Sequence, residues 1–160
     1  MRNAKYWIER LNLLPHPEGG YYREVYRSGD TIGHPEHSRE RNLATSIYFL
    51  LEGENISHFH ELSSDELWYY HDGKGANIYV FDKGQYQSYE LSKDPKGQLQ
   101  VLLPAHSEFA AEVIGQDGYV LMGCVVTPGF DFEDFRLLKK KEMLEKYPGH
   151  SELIERFCME

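Results

Sequence analysis

Between about residue 20 and residue 127 the chain alternates short aromatic or β-branched segments with turn residues, and this pattern constrains its fold most. "TSIYFLLE" (45–52), "ANIYVFD" (76–82) and "YVLMGCVV" (119–126) are examples. Segments of this length, each closed by Gly, Asp, Asn or Pro, predict β-strands. Because no helical periodicity separates them, the sequence predicts an antiparallel sandwich or barrel.

The two ends of the chain differ from this middle and predict helices. "NAKYWIERLNL" (3–13) has apolar side chains at helical intervals, with Asn3 as its N-cap. "PHPEGG" ends this helix, because two prolines and two glycines cannot continue it. Near the other end, leucines, methionine and isoleucine recur at helical spacing around the break "YPG". Two helices are expected there, at about 139–146 and 150–158.

A single domain over residues 1–160, with its barrel at about 20–127, is expected because no linker or repeat divides the chain. The formal charge of −9 argues against nucleic acid and anionic membranes as partners. Cys124 and Cys158 lack the spacing of a zinc site or a disulfide framework. No apolar run approaches the roughly 20 residues of a membrane span, and no signal-peptide pattern opens the chain. We therefore expect a cytoplasmic protein.

The histidine-rich stretch "NISHFHELSSDELWYYHDG" (55–73) carries the strongest chemical signal. His58 and His60 share one face of a predicted strand, with about 7 Å between their Cα atoms. Glu66 opens the next predicted strand and can face them. Two imidazoles and a carboxylate can hold a divalent metal with open positions, or transfer protons without one. The alternative is that one histidine is hydrogen-bonded in a barrel mouth and the other meets solvent.

The same stretch resembles the first motif of the cupin superfamily, in which a glycine, an HxH pair, a glutamate and a second glycine follow one another. Gly53, His58, His60, Glu66 and Gly73 take those places. The spacing departs from the family pattern by one residue fewer before the HxH pair and one residue more after it.

The second cupin motif is incomplete. It requires a proline, a glycine two residues later and a ligand histidine three residues beyond. "LLPAHSEFA" supplies Pro104, but His106 takes the glycine place and Phe109 the histidine place. The resemblance therefore implies a divalent metal that is weak or absent, and no other cofactor. The metal ligands that it implies are His58, His60 and Glu66, with His106 as a possible fourth.

Three longer blocks are similar to a group of small bacterial and fungal cupins known as domain of unknown function 985, or cupin-5. The blocks are "HPEGGYYREVYRS" (16–28), "SHFHELSSDELWYYHDG" (57–73) and "VTPGFDFEDFRLL" (126–138). This resemblance implies an all-β, antiparallel jelly-roll barrel with short terminal helices, and a homodimer. Structural relations of the group include dTDP-sugar 3,5-epimerases, which are metal-free cupins that use histidine as a base.

Further side chains are expected to bind a ligand near the histidines. Arg23, on a predicted strand among tyrosines, can hold a carboxylate or phosphate through two hydrogen bonds. Trp68 and Tyr70 share the parity of Glu66, and flat aromatic walls suit a sugar. The alternatives are a surface ion pair for Arg23 and ordinary core packing for the aromatic side chains. The expected substrate-binding residues are Glu18, Tyr21, Arg23, Tyr48, Trp68, Tyr70 and Asp131.

We expect a small-molecule-binding enzyme that epimerises or isomerises a polar, anionic, sugar-like substrate. His58 or His60 takes a proton next to a carbonyl group, Glu66 orients that imidazole, and a tyrosine returns a proton. Arg23 holds the anionic end. Two alternatives stay open. One is a metal-dependent oxygenase or isomerase that uses the two histidines and Glu66, and the other is a non-catalytic protein that binds a ligand in the same pocket.

Strand parity also separates structural side chains from functional ones. Phe59 points away from His58 and His60, so Phe59→Ala is expected to destabilise the fold as a core truncation does. His60→Ala and Glu66→Gln are expected to melt near the parent temperature, because polar groups held for a ligand add little stability.

Overall fold

The computed structural model describes residues 2–160, which form three α-helices and thirteen β-strands. The helices are α1 (Ala4–Leu11), α2 (Lys140–Lys146) and α3 (Ser151–Phe157). The strands are β1 (Leu14–Pro15), β2 (Tyr21–Arg27), β3 (Thr31–Ile32), β4 (Arg41–Asn42), β5 (Thr45–Glu52), β6 (Ile56–Glu61), β7 (Asp65–Gly73), β8 (Ala76–Asp82), β9 (Gln85–Leu91), β10 (Gln100–Leu103), β11 (Glu108–Val113), β12 (Tyr119–Thr127) and β13 (Arg136–Leu137).

The strands form two main antiparallel sheets. The six-stranded sheet has the order β1-β2-β5-β12-β7-β10, and the five-stranded sheet has the order β13-β6-β11-β8-β9. β3 and β4 pair separately. Most neighbours in the sheets are not consecutive in sequence, as in a jelly roll, and the α-helices of the described chain lie only at its two ends. The predicted all-β jelly-roll barrel with short terminal helices is confirmed.

The main core lies between the two sheets, where every second side chain of the facing strands points inward. Phe49, Trp68 and Phe109 are almost fully buried, and the Trp68 ring lies 5.8 Å from Phe49 and 5.9 Å from Phe109, measured between ring centroids. Burial of one such aromatic side chain contributes roughly 1.5–3 kcal/mol. These contacts hold the sheets face to face and fix the strands that carry the candidate site.

Helix α1 covers part of the outer face of the six-stranded sheet. It begins as predicted at Asn3, whose Oδ1 accepts a hydrogen bond of 2.8 Å from the backbone N–H of Tyr6. Its apolar side packs with Leu50 and Leu121 of the sheet. The indole N–H of Trp7 donates to Asp72 at 3.0 Å, which ties the helix to β7.

Helices α2 and α3 cover the outer face of the five-stranded sheet, separated by a 3₁₀ turn at Pro148–His150. Phe59 and Phe157 are fully buried between them and the sheet. Two buried carboxylates of β11 reach outward to the helices. Glu108 accepts from Lys146 at 2.7 Å and from the Tyr147 hydroxyl, and Glu112 bonds to Arg156 and to the Tyr79 hydroxyl. No helix of the described chain has the length and apolar character that crossing a bilayer requires.

Candidate functional site

A cavity of about 410 Å³ lies between the two sheets and is the candidate functional site. Strands β2, β5, β6, β7 and β12 supply its walls, together with the loop before β2 and the segment after β12. About half of the lining side chains are apolar. The ionisable side chains other than Cys124 and Tyr22 that line it are His16, Glu18, Glu24, Arg27, His60, Glu66 and Asp131.

Glu18 reaches this cavity because Gly19 lets its loop lie against β6. Gly19 has φ +111°, and a Cβ atom there would stand 2.0 Å from the carbonyl oxygen of Ile56. Only glycine tolerates both that angle and that approach. The Glu18 carbonyl oxygen accepts from the His58 backbone N–H at 2.8 Å. The "PEGG" sequence therefore places the Glu18 carboxylate beside His60.

Glu18 and His60 form a buried pair, with 2.8 Å between Glu18 Oε2 and His60 Nε2. Burial opposes charge on the imidazole, but the Glu18 carboxylate outweighs it and raises the pKa of His60. Burial likewise opposes charge on the carboxylate, and the facing imidazole outweighs it and lowers the pKa of Glu18. Each partner therefore favours the charged form of the other.

Both ring nitrogens of His60 are engaged. Nδ1 lies 2.7 Å from the carbonyl oxygen of His58, which can only accept, so Nδ1 carries a proton. Nε2 faces the ionised Glu18. The ring packs against Phe109 and Phe135, at centroid distances of 4.2 and 5.4 Å. His60 therefore has no free lone pair with which to take a proton from a substrate.

Glu66 is the carboxyl group of the cavity that has a free oxygen. It is 7% exposed, and its Oε2 has no hydrogen-bond partner within the described chain. Burial, and then repulsion from Glu18, raises the pKa of Glu66 to about 7, against the attraction of His60 and of the nearby indole N–H of Trp68. A carboxyl with this pKa exchanges a proton readily near neutral pH. His60 and Glu66, which the cupin motif places together, thus differ in the structure: His60 is held in an ion pair with Glu18, and Glu66 has an unpaired oxygen.

The proposed metal ligands do not come together around one point. The His58 ring is not part of the cavity wall, and its Nδ1 bonds the Glu18 carbonyl oxygen at 2.8 Å. His106 lies in a turn with its ring half exposed, bonded to Glu36 at 2.8 Å. Within residues 2–160 no three His, Cys, Asp or Glu side chains are arranged to hold a metal ion. This donor set does not fit a cupin metal site.

Four of the ten side chains predicted for catalysis or substrate binding line the cavity, namely Glu18, His60, Glu66 and Asp131. Three others lie on the opposite side of the six-stranded sheet, so their predicted placement is wrong. Arg23 donates to the carbonyl oxygen of Leu11 at 3.1 Å, and Tyr21 and Tyr48 pack beside α1. The other face of β2, with Tyr22 and Glu24, meets the cavity, and the strict alternation predicted for β2 ends there: a bulge after Glu24 brings Arg27 to the same wall.

Trp68 and Tyr70 belong to the core rather than to the cavity wall. Trp68 is 1% exposed among Phe49 and Phe109. The Tyr70 hydroxyl donates to the carbonyl oxygen of Gly73 at 2.8 Å, and its ring packs against the core. Their parity with Glu66 holds, but they lie deeper than the cavity. Ordinary core packing, the alternative for these aromatics, is the observed arrangement.

Sequence reasoning missed the phenylalanine segment, residues 130–135, as a cavity wall. Phe130, Phe132 and Phe135 all line the cavity, and Phe132 is 54% exposed. Arg41 anchors this segment through two hydrogen bonds of 2.8 Å to Asp134, and both side chains are nearly inaccessible. The available signal was the spacing of the phenylalanines among acids in "PGFDFEDF", which is unusual beside a barrel strand.

Residues 5–138 match the family model described as Cupin superfamily (DUF985). The chain is 31% identical over 164 residues to the Saccharomyces cerevisiae protein "Uncharacterized protein YML079W", covering 92% of this chain and 81% of that protein. A Leishmania major structure titled "Hypothetical protein" is 36% identical, with a TM-score of 0.93 over 99% of this chain and 100% of that one.

A Shewanella oneidensis structure, protein SO0799, is 38% identical, with a TM-score of 0.89 over 99% of each chain. Bacillus subtilis oxalate decarboxylase shares the fold at 15% identity, with a TM-score of 0.56 over 89% of this chain and 36% of that one. The match over most of the chain agrees with the two sheets and the HxH motif on β6. The chain therefore belongs to the cupin superfamily, in the family DUF985.

Proposed function

We propose that this cupin is a proton-transfer enzyme of the epimerase or isomerase type, acting on a small, sugar-like molecule that has a carbonyl group. Glu66 is the group that takes a proton from the carbon next to that carbonyl. The observation that supports this role is the free, buried Oε2 of Glu66 inside the cavity. The cytoplasmic location of the protein stays a prediction from the sequence.

The environment of Glu66 suits this chemistry. A general base works best when its pKa lies near the working pH, and burial brings the pKa of Glu66 to about 7. Apolar walls limit the access of water to the carboxylate and strengthen its interaction with a substrate. An ordinary exposed glutamate, with a pKa near 4.3, is a far weaker base.

The Glu18–His60 pair supplies the complementary part of the proposed mechanism. It is a fixed dipole within the same cavity, held by the His58 carbonyl oxygen and by Phe109 and Phe135. Such a preorganised dipole can stabilise the negative charge that develops on the substrate oxygen when the proton leaves. Tyr22, the tyrosine of the cavity wall, is the candidate that returns a proton to the other face.

The experiment is proton exchange in D₂O, with a panel of keto sugars, uronic acids and amino ketoses as probes. The wild-type protein is expected to exchange the hydrogen next to the carbonyl of at least one probe, as followed by NMR, and Glu66→Gln is expected to abolish the exchange. Glu54→Gln is the matched control, because Glu54 is exposed in a turn. Binding of a probe that is recovered without deuterium would favour the non-catalytic binding protein. Exchange at the wild-type rate in Glu66→Gln would reject the role of Glu66.

We also propose a homodimer, formed through strand β2. The outer edge of β2 pairs only with the two residues of β1, so Arg23–Arg27 present an open edge. Val25 and Tyr26 are 52% and 55% exposed there. Exposed edges with apolar side chains are usually covered in native proteins. Since β2 also lines the cavity through Glu24, a partner at this edge would stand close to the site.

A further inference from the structure

The charges that face the cavity are unbalanced in favour of carboxylates. Glu18, Glu24, Glu66 and Asp131 line it, against one guanidinium, that of Arg27. An anionic ligand needs a cation or a set of free N–H donors. The state of each cationic group in the cavity therefore decides which ligand charge it accepts.

No cationic side chain of the described cavity wall is free to meet an anion. The Arg27 guanidinium bonds Glu24 at 2.6 and 3.1 Å, Asn42 at 2.8 Å and the carbonyl oxygen of Phe130 at 3.0 Å. His60 is engaged at both nitrogens. Burial lowers the pKa of His16, which disfavours its charged form, and its Nδ1 accepts from the Glu18 backbone N–H at 3.1 Å.

Unlike the cationic groups, Glu66 has a polar atom that is left without a partner. Its Oε2 is buried without a partner within residues 2–160. A buried carboxylate oxygen left in this state costs free energy that a donor from a ligand can recover. The best donor is a charged N–H group, because it supplies both the hydrogen bond and the compensating charge.

The phenylalanine segment adds a second, independent feature. Its three rings meet at steep angles, with the Phe130 centroid 4.9 Å from Phe132 and 6.2 Å from Phe135. Aromatic walls attract ammonium groups through the negative faces of their rings, and they also pack against apolar bodies. The rings and the free carboxyl belong to the same cavity.

We infer that the carbonyl compound bound in this cavity also carries a protonated amino group on a ring-shaped body, and no phosphate. The amino group meets Glu66 Oε2, which leaves Oε1 for the proposed proton transfer, and the ring lies against Phe130, Phe132 and Phe135. This inference rests on the proposed function, because it assigns a substrate class to the same cavity. It replaces the expectation of an anionic substrate, which depended on the placement of Arg23.

The test uses three probes of one shape and different charge: benzylamine, benzyl alcohol and benzoate. Each is titrated at millimolar concentration into ¹⁵N-labelled full-length protein, and amide shifts around the cavity give the affinities. Benzylamine is expected to bind about tenfold more tightly than benzyl alcohol, and benzoate not to bind. Glu66→Gln is expected to remove the preference for the amine while leaving benzyl alcohol unchanged.

Two further variants keep the test decisive. Phe132→Leu changes a ring that is more than half exposed, so the fold should persist, and it is expected to weaken benzylamine more than benzyl alcohol. Glu54→Gln, remote from the cavity, should bind all three probes as the parent does. Benzoate binding as tightly as benzylamine, or an amine preference that survives Glu66→Gln, would overturn the inference while leaving proton transfer by Glu66 in place. If no probe shifts a cavity amide, both the inference and the cavity as a ligand site are wrong.

Discussion

At the scale of single residues, the site depends on three buried ionisable side chains, Glu18, His60 and Glu66, of which only the first two are paired. His60 and Glu18 hold each other in charged form across 2.8 Å, whereas Glu66 has no such partner. The same burial that stabilises the ion pair therefore makes the nearby carboxyl reluctant to ionise. Charge pairing and charge isolation within one cavity give two carboxyl groups opposite pKa shifts. Such opposed shifts are typical of sites that transfer protons.

Glu66→Gln is expected to stabilise the protein at alkaline pH and much less at acidic pH. The pKa of Glu66 rises from 4.5 in the unfolded chain to about 7 in the fold, so the folded state binds its proton more tightly. The protonated Glu66 therefore stabilises the fold fully below its unfolded pKa, and this contribution is lost as pH rises through about 7. Well above that pH, the ionised Glu66 costs the fold about 3 kcal/mol. Glutamine avoids that cost. Urea denaturation at about pH 5 and about pH 8 should show the advantage of the variant growing with pH, and a constant difference would contradict it.

His60→Ala is now expected to destabilise the fold, in contrast to the expectation from strand parity. The substitution leaves Glu18 as a buried carboxylate without its imidazolium, which typically costs about 3–5 kcal/mol. Denaturant midpoints measure the loss. The double variant His60→Ala with Glu18→Gln should recover part of it, because no charge is then left unpaired. Equal stability of the single variant and the parent would show that the pair contributes nothing net.

A divalent metal is expected to bind weakly or not at all, because Phe109 stands where a cupin would place its fourth ligand. Dialysis against EDTA should therefore leave the melting temperature nearly unchanged. A metal that bound only the folded state would stabilise it by several kcal/mol, and its removal would be visible. One metal ion per chain at high occupancy after dialysis without chelator would contradict this prediction.

At the scale of elements, each sheet has one face in the main core and part of its other face under a helix. Strand β11 shows why the C-terminal helices are needed, since all six of its residues are buried. Its outward carboxylates bond to the helices: Glu108 accepts from Lys146 of α2, and Glu112 accepts from Arg156 of α3. The helices are thus part of the fold rather than additions to a finished barrel.

Phe59→Ala should cost about 3–5 kcal/mol, as large buried side chains usually do. Phe59 is 0% exposed and packs against Phe81 and Phe157, at centroid distances of 5.7 and 6.3 Å, which joins β6 to β8 and α3. Chemical denaturation measures the effect. Leu99→Ala is the control, because Leu99 is 63% exposed, and its cost should stay near zero. A loss below about 1 kcal/mol at Phe59 would mean that the helices do not depend on this contact.

At the scale of the whole molecule, the chain leaves one long strand edge open. Strand β2 is central to the site through its inner face, yet its outer edge has a partner only at Tyr21 and Tyr22. The proposed dimer would cover this edge and bring a second chain close to the rim of the cavity.

Sedimentation at micromolar concentration is expected to give about twice the 18.7 kDa of the single chain. Val25→Lys should shift the protein toward monomer, because a lysine on an edge strand opposes pairing with a second strand. Leu99→Lys, at an exposed position outside β2, should leave the mass unchanged. A wild-type protein that sediments only as the single chain would reject the dimer.

The fold could be predicted from the sequence because its signals are local. The aromatic and β-branched run "TSIYFLLE", the Asn3 cap and the break at "YPG" each act within a few residues, and each appears in the structure. The HxH pair on β6 and the place of Glu66 at the start of β7 were also readable, since motif spacing survives folding.

What only the tertiary structure decided is which groups meet across distance. A period of two gives two faces to β2 but does not say which one is inside, and both faces carry a tyrosine and a charge. The pairing of Glu18 with His60 depends on the approach of a glycine loop to β6, about forty residues further along the chain. The free oxygen of Glu66 is a property of everything packed around it, because burial and missing partners exist only in the folded chain. The sequence by itself therefore determined the barrel and the motif, and packing decided which carboxyl group is left unpaired.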